Sequence, residues 1–230
     1  VIESGRGDDV FNIDSDVPRT SFSLGEGNDT INFTKPLELS HKVSGGEGDD
    51  NINVLAGGNE GVSVELHGGS GDDKIVLEGD FRDKYNYRFM GGDGDDIIDA
   101  TNAVGLSNAT YISGNDGDDL IEGGSEDETI SGGDNDDVLI GGGGNDVIYG
   151  WINSTSVGTK GDDGSIDTAV FSGASSDYMI SRVNDVNYEY VYYIEDKREG
   201  SPDGLDTLYD IDQLRFSDRE EEIDLETYYN

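Results

Sequence analysis

Residues Gly114 to Tyr149 read GNDGDDLIE, GGSEDETIS, GGDNDDVLI and GGGGNDVIY, four nine-residue units in tandem. Each unit has a glycine-rich turn and an acidic sixth residue: Asp119, Glu128, Asp137 and Asp146. Each also has an aliphatic eighth residue: Ile121, Ile130, Leu139 and Ile148. One buried residue every nine positions does not fit a helical period. It fits a short strand, a turn, and another short strand on the opposite wall of a flattened coil.

Upstream the same turn recurs at longer spacing, as SGRGDDVFN (Ser4–Asn12), LGEGNDTIN (Leu24–Asn32), GGEGDDNIN (Gly45–Asn53), GGSGDDKIV (Gly68–Val76) and GGDGDDIID (Gly91–Asp99). The sixth-position acids Asp9, Asp29, Asp50, Asp73, Asp96 and Asp119 step by 20, 21, 23, 23 and 23 residues. Two nonapeptides make eighteen residues, so each step is one coil turn with a few residues added. The eighth positions Phe11, Ile31, Ile52, Ile75, Ile98 and Ile121 form one apolar ladder. Ile2, Phe22, Val43, Leu66, Phe89 and Ile112, three residues before the second motif position, form another. The two columns are expected to face each other as a thin core.

The added residues fall in far-side loops, Asp14–Arg19, Lys35–Leu39, Ala56–Gly61, Asp80–Lys84 and Asn102–Asn108. The upstream half is therefore expected to be one-sided, with motif turns on one edge and plain loops on the other. After Asp119 the first edge continues to Asp137, while Glu128 and Asp146 open a second edge.

Composition agrees with a solenoid rather than a globular core. Only 33% of the 230 residues are hydrophobic, 35 are glycine, and 52 acids against 14 Lys and Arg give a net charge of −38. A chain so charged repels itself unless its carboxylates are neutralised. It is not expected to bind nucleic acid, and no apolar run is long enough for a membrane span. The absence of cysteine fits an exported protein and equally a cytosolic one.

The turn needs positive φ, which glycine supplies and asparagine tolerates. Such a bend turns carbonyl oxygens toward the gap between stacked loops, and the acid adds a carboxylate. Ca²⁺ takes six to eight hard oxygen ligands, more than one loop can offer, so the ion belongs between loops. The expected metal positions are Gly5, Gly7 and Asp9; Gly25, Gly27 and Asp29; Gly46, Gly48 and Asp50; and Gly69, Gly71 and Asp73. They continue as Gly92, Gly94 and Asp96; Asn115, Gly117 and Asp119; Glu128; Gly133, Asn135 and Asp137; and Gly142, Gly144 and Asp146. Seven loops from Asp9 to Asp137 leave six gaps, hence several ions, about six on the main edge. The second edge offers one gap, weakened by Glu126 and Glu128 where Gly and Asp are wanted. The fifth-position residues Asp8, Asn28, Asp49, Asp72, Asp95 and Asp118 are expected to shape the turn or face solvent.

From Trp151 the pattern changes. Trp151–Gly161 is a polar insertion, and Ser165–Ala169 reads as a last, imperfect repeat. Ala169–Phe171, Tyr178–Arg182, Tyr188–Ile194, Gln213–Phe216 and Glu222–Leu225 are expected strands, with turns at Asp185–Asn187 and Gly200–Gly204. The expected fold is all-β. A calcium-bound parallel β-roll, a β-solenoid, spans 1–150, and a small β-rich capping region spans 151–230, because a solenoid must cover its last rung.

The nonapeptide GGxGxDxUx resembles the calcium-binding repeat of RTX proteins over Gly5–Asp146. Asp167–Gly173, Asp177-Tyr178, Asp206–Ile211 and Leu214–Phe216 are similar to the C-terminal flanking segment of large RTX adhesins and haemolysin-type calcium-binding proteins. That resemblance implies export by type I secretion machinery to the bacterial cell surface or medium, with calcium entry folding the emerging chain. It places a secretion signal near Asp212–Asn230.

No HExxH, GxSxG or P-loop is present, and His41 and His67 are isolated, so no catalysis is expected. The alternative is a calcium-dependent polysaccharide-binding accessory region of a secreted enzyme, such as an alginate epimerase or protease. On that reading Tyr85, Tyr87 and Phe89, or Tyr188, Tyr190, Tyr192 and Tyr193, would stack on sugars; the plainer reading packs them in the core or cap.

Overall fold

The computed structural model describes residues 1–14, 18–37, 40–57, 63–81, 87–106, 110–151, 165–185, 189–219 and 221–228. The far-side loops lie partly outside these residues, as do Trp151–Gly161, Asp185–Asn187, Tyr85, Tyr188 and the end of Asp212–Asn230.

Two parallel walls carry the fold. One runs Ile2–Arg6, Ser21–Glu26, His41–Glu47, Val64–Ser70, Arg88–Asp93, Tyr111–Asp116, Thr129–Asp134 and Val147–Tyr149 in spatial order. The other runs Val10–Ile13, Thr30–Phe33, Asn51–Val54, Lys74–Asp80, Ile97–Val104, Leu120–Glu122 and Val138–Ile140. The chain alternates between them, so each strand pairs with the strand one turn away. This is the parallel β-roll expected from the repeats.

The register matches both ladders residue by residue. Phe11, Ile31, Ile52, Ile75, Ile98, Ile121 and Leu139 are successive partners on one wall. Ile2, Phe22, Val43, Leu66, Phe89, Ile112, Ile130 and Ile148 are successive partners on the other. Apart from the first rung and Phe11, these side chains are fully buried. A one-residue slip would turn each column to solvent, which pins the register.

Both sheets run on across the expected boundary at residue 150. Thr168–Phe171 pairs parallel to Val138–Ile140, and Gln213–Phe216 pairs parallel to it in turn. Leu205–Tyr209, not expected as a strand, pairs parallel to Val147–Tyr149. Only then does the pattern turn antiparallel, through the hairpin Tyr178–Asp185 and Glu189–Asp196 and through Ile223–Asp224. The last expected strand is shortened, because Leu225–Tyr228 is a helical turn. Gln213–Phe216 and Ile223–Asp224, inside the segment assigned to a secretion signal, belong to a sheet.

Three of the five aromatic candidates for sugar stacking among the described residues are inside, and Tyr190 and Tyr193 are half-buried. Tyr87 and Phe89 are fully buried and stacked on each other, with Phe81 edge-on to both. Tyr192 is buried, and Tyr190 is half-buried beneath the Arg182 guanidinium.

Candidate metal centre

The sixth-position acids form a continuous ladder along one edge. The backbone N–H of Asp9 donates to Oδ1 of Asp29, Asp29 to Asp50, Asp50 to Asp73 and Asp73 to Asp96, each at 2.7 Å. Asp96 donates to Asp119 at 2.8 Å, and Asp119 to Asp137 at 2.9 Å. The ladder then goes past the last expected loop, from Asp137 to Asp167 at 3.0 Å and from Asp167 to Asp212 at 3.1 Å.

The second edge is a shorter copy. The N–H of Glu128 donates to Asp146, and that of Asp146 to Asp206, both at 2.8 Å. Before Glu128 the same register row passes through His41, Val64, Tyr87 and Thr110. None of these has a carboxylate, so among the described residues the far edge of the upstream half shows no such ladder.

The fifth positions do more than shape the turn. Their side chains form a second ladder running the opposite way. The N–H of Asn28 donates to Asp8, that of Asp49 to Asn28, Asp72 to Asp49, Asp95 to Asp72 and Asp118 to Asp95, at 2.9 to 3.1 Å. Asp136 and Ile166 extend it. Adjacent loops are thus stitched twice, once in each direction, by the fifth- and sixth-position side chains.

Each sixth-position acid uses only one oxygen this way. The Oδ2 atoms of Asp29, Asp50, Asp73, Asp96, Asp119 and Asp137 are buried without a hydrogen-bond partner. So are Oδ2 of Asp146 and Oε1 of Glu128 on the second edge. A buried carboxylate oxygen without a partner is costly unless a cation meets it. Six of these unpartnered oxygens lie on the main edge.

The glycines shape the same space. Positions two and four take positive φ from Gly5 and Gly7 through Gly92 and Gly94, at Gly117, Gly133, Gly142 and Gly144, and at Asn115 and Asn135. Their carbonyls face the next loop: a Cβ on Gly92 would lie 2.0 Å from the Gly69 oxygen, and one on Gly94 2.3 Å from that of Gly71. The first position, not anticipated as part of the site, is a cradle. A Cβ on Gly91 would lie 2.0 Å from Asp96 Oδ2, and one on Gly114 1.7 Å from Asp119 Oδ2. Gly45, Gly68, Gly132, Gly141 and Gly150 do the same for Asp50, Asp73, Asp137, Asp146 and Asp167. Ser4 and Leu24 hold this place in the first two loops.

The electrostatics of these loops demand a counter-charge. Burial, reinforced by neighbouring carboxylates, pushes Asp50 up to about 6 and Asp73, Asp96, Asp119 and Asp146 up to about 7. It pushes Glu128, Asp137 and Asp206 up to about 9. Among the described residues no three Asp, Glu, His or Cys side chains gather in one place. Side chains alone therefore cannot fill a Ca²⁺ sphere, and the inward carbonyls must supply the remaining oxygens. Hard anionic and carbonyl oxygens suit Ca²⁺ and offer nothing to a soft metal.

Asp206 and Asp212 were missed as members of the ladders, and Asp167, read as part of a last, imperfect repeat, was not counted among the metal positions. Gly204-x-Asp206-x-Leu208 carried the signal, the second half of the repeat without its first half. A Cβ on Gly204 would lie 1.6 Å from the Gly144 oxygen, so this loop stacks as the others do.

Stacked glycine turns, each delivering one buried carboxylate to the gap beside it, define a metal-loop β-roll. The RTX calcium-binding nonapeptide repeat matches the chain in four copies, over residues 65–80, 88–102, 104–139 and 122–154. This stretch belongs to that repeat family, and the chain carries a calcium-binding module. The loops of Asp9, Asp29 and Asp50 lie before the matched residues and share their hydrogen-bond geometry. No curated protein matches the chain.

Proposed function

We propose that this is a non-catalytic module that folds when calcium fills its inter-loop gaps outside the cell, in the service of a large surface adhesin exported by type I secretion. The carrying observation is the row of buried carboxylate oxygens that meet no protein partner. Without the ion these loops must protonate or open, so binding and folding are one event. On this reading Asp29, Asp50, Asp73, Asp96, Asp119 and Asp137, with the second- and fourth-position carbonyls, hold about six ions on the main edge. Glu128 and Asp146 serve the second edge. Calcium supplies the positive charge that lets the loops close.

Extracellular calcium modules hold their ions with dissociation constants of about 10⁻⁴ to 10⁻³ M. Such loops stay open where free calcium is scarce and close where it is abundant, which makes folding directional across an export channel. The RTX match supports calcium and the habit of secretion, and the adhesin parent follows from the resemblance of the C-terminal segment. Far-UV circular dichroism of chelated protein, followed by calcium titration, tests the folding step. A native-like β signal in EDTA at neutral pH would overturn it. Export of a fused reporter, with and without external calcium, tests the secretory role.

A further inference from the structure

We infer that the second edge begins one gap before its first repeat, at a Ca²⁺ site bordered by Glu128 Oε1 and the backbone oxygens of Ala100 and Ala103. A Cβ placed on Gly124 would lie 3.2 Å from the Ala103 oxygen, 3.5 Å from Glu128 Oε1 and 3.6 Å from the Ala100 oxygen. Three oxygens from two successive turns thus surround one small space, which is open because Gly124 has no side chain. Glu128 is 1% exposed, and its Oε1 is buried without a hydrogen-bond partner.

The direction of the ladders separates this space from the gaps between repeats. Each sixth-position carboxylate turns back toward the preceding loop: Asp137 Oδ1 accepts the Asp119 N–H, and Asp146 Oδ1 accepts the Glu128 N–H. The gap between the Glu128 and Asp146 loops is therefore served by Asp146, through its unpartnered Oδ2. By the same rule Glu128 serves the gap before its own loop. The other side of that gap is no nonapeptide but the plain turn that follows Asp99.

That turn presents its oxygens by a different route. Between the pairs Asp99–Val76 and Asn102–Glu78, two residues, Ala100 and Thr101, oppose the single Leu77. This is a β-bulge, which bends the strand and re-aims its backbone. On the other side of the strand, pairing stops at Asp99–Glu122. The Glu128 loop differs to match. In every other nonapeptide loop the second residue takes positive φ, and Gly124 does not. Its N–H instead donates to Glu128 Oε2 at 3.1 Å, which holds the carboxylate over the space and leaves Oε1 for an ion. The extra methylene of glutamate gives the reach to close back on its own loop. One carboxylate and two carbonyls are hard oxygens of the kind Ca²⁺ takes, with positions left for water. Glu126 and Asp127 add negative charge beside them, which favours a divalent cation.

The site rests on the calcium-folding reading, and its rival is a proton on Glu128 shared with one of the carbonyls. The test is native mass spectrometry of the whole chain loaded with calcium, comparing wild type, Glu128→Gln, Asp146→Asn, the double variant and Gly124→Ala. Glutamine keeps the shape and a donor for a carbonyl, so it satisfies the rival and starves the ion. Glu128→Gln is expected to hold one ion fewer than wild type, and the double variant one fewer than Asp146→Asn alone. Gly124→Ala sets a methyl among the three oxygens without positive-φ strain, and it too is expected to lose one ion. Full stoichiometry in Glu128→Gln or in Gly124→Ala would overturn the site. A double variant that loses no more than Asp146→Asn would overturn it as well, by assigning both acids to one ion. Dichroism at saturating calcium checks that each variant folds. A wild-type chain that takes up no calcium would overturn the calcium-folding reading itself, and the site with it.

Discussion

Asp96 accepts the backbone N–H of Asp73 through Oδ1 at 2.7 Å and keeps its buried Oδ2 without a protein partner. One carboxylate thus spaces two loops and offers a charge to the gap between them. Asp96→Ala removes both roles and leaves the Asp73 amide unpaired. It is expected to raise the calcium midpoint of folding and to cost about 1–3 kcal/mol at fixed calcium. Asp96→Asn keeps an acceptor and loses the charge, so it should still raise the midpoint. Calcium titrations followed by circular dichroism measure both, and an unchanged midpoint in the Asn variant would remove Asp96 from the metal site.

Asp72 supplies the contrast. Its Oδ1 accepts the Asp95 N–H at 3.1 Å from an exposed position. Asp72→Ala is expected to cost only about 0.5–1.5 kcal/mol in urea unfolding at saturating calcium. The calcium midpoint should move less than in Asp73→Ala. Equal effects at the two neighbours would mean that both acids bind the ion.

The first-position glycines are a steric test. A methyl group at Gly114 would occupy the place of Asp119 Oδ2, whereas one at Gly7 meets nothing within 4 Å. Gly114→Ala is therefore expected to lose calcium from its gap, lowering the measured ion stoichiometry. Gly7→Ala suffers only backbone strain, on the order of 1 kcal/mol, at its positive φ. Native mass spectrometry of the loaded proteins counts the ions in each.

The pH dependence should have opposite signs with and without metal. Asp73, Asp96, Asp119 and Asp146 are raised from 3.8 to about 7 in the metal-free fold. A raised folded-state value favours the fold below the unfolded value and loses that contribution as pH rises through the folded one. In EDTA, β content should therefore grow as pH falls from 8 toward 4. With calcium present, protons compete for the same oxygens, so the calcium midpoint should climb as pH drops through 7. Parallel dichroism titrations at several pH values check both directions.

A network around Arg198 ties the cap together. Arg198 Nη2 lies 2.8 Å from Asp196, 3.0 Å from Asp203 and 2.7 Å from Tyr178 Oη, and Tyr178 Oη also meets Asp203. Burial and the Asp203 carboxylate keep the Tyr178 phenol protonated. Arg198→Ala strands two acids that are themselves buried. It should lower the melting temperature of the calcium-loaded protein while leaving ion stoichiometry unchanged, as calorimetry and native mass spectrometry together would show.

Much of the main edge was legible because its signals are local. Gly48, Asp50 and Ile52 sit at fixed offsets, and the step from Asp50 to Asp73 is one coil turn, so the register followed from spacing alone. Asn115 and Asn135 were readable as turn residues for the same reason, and both take positive φ. The cradle glycines escaped notice because their role is room for an oxygen, which depends on how the loop closes back on itself. Asp206 escaped, and Asp167 was read only as part of an imperfect repeat, because their neighbours in space are distant in sequence. Asp137 pairs with Asp167 across 30 residues, and Asp146 with Asp206 across 60. An insertion and a hairpin fill those intervals and break the period.

The sequence by itself determined the repeat, the two apolar columns and the positions of the turn acids. Each is a matter of residue type at a fixed offset, which a periodic fold converts directly into geometry. Only the tertiary structure decided that the fifth- and sixth-position side chains bond in opposite directions, and that the ladders run on through Asp167, Asp212 and Asp206. These are relations between neighbouring turns, and the path that joins one turn to the next varies in length along this chain, so no single period encodes them.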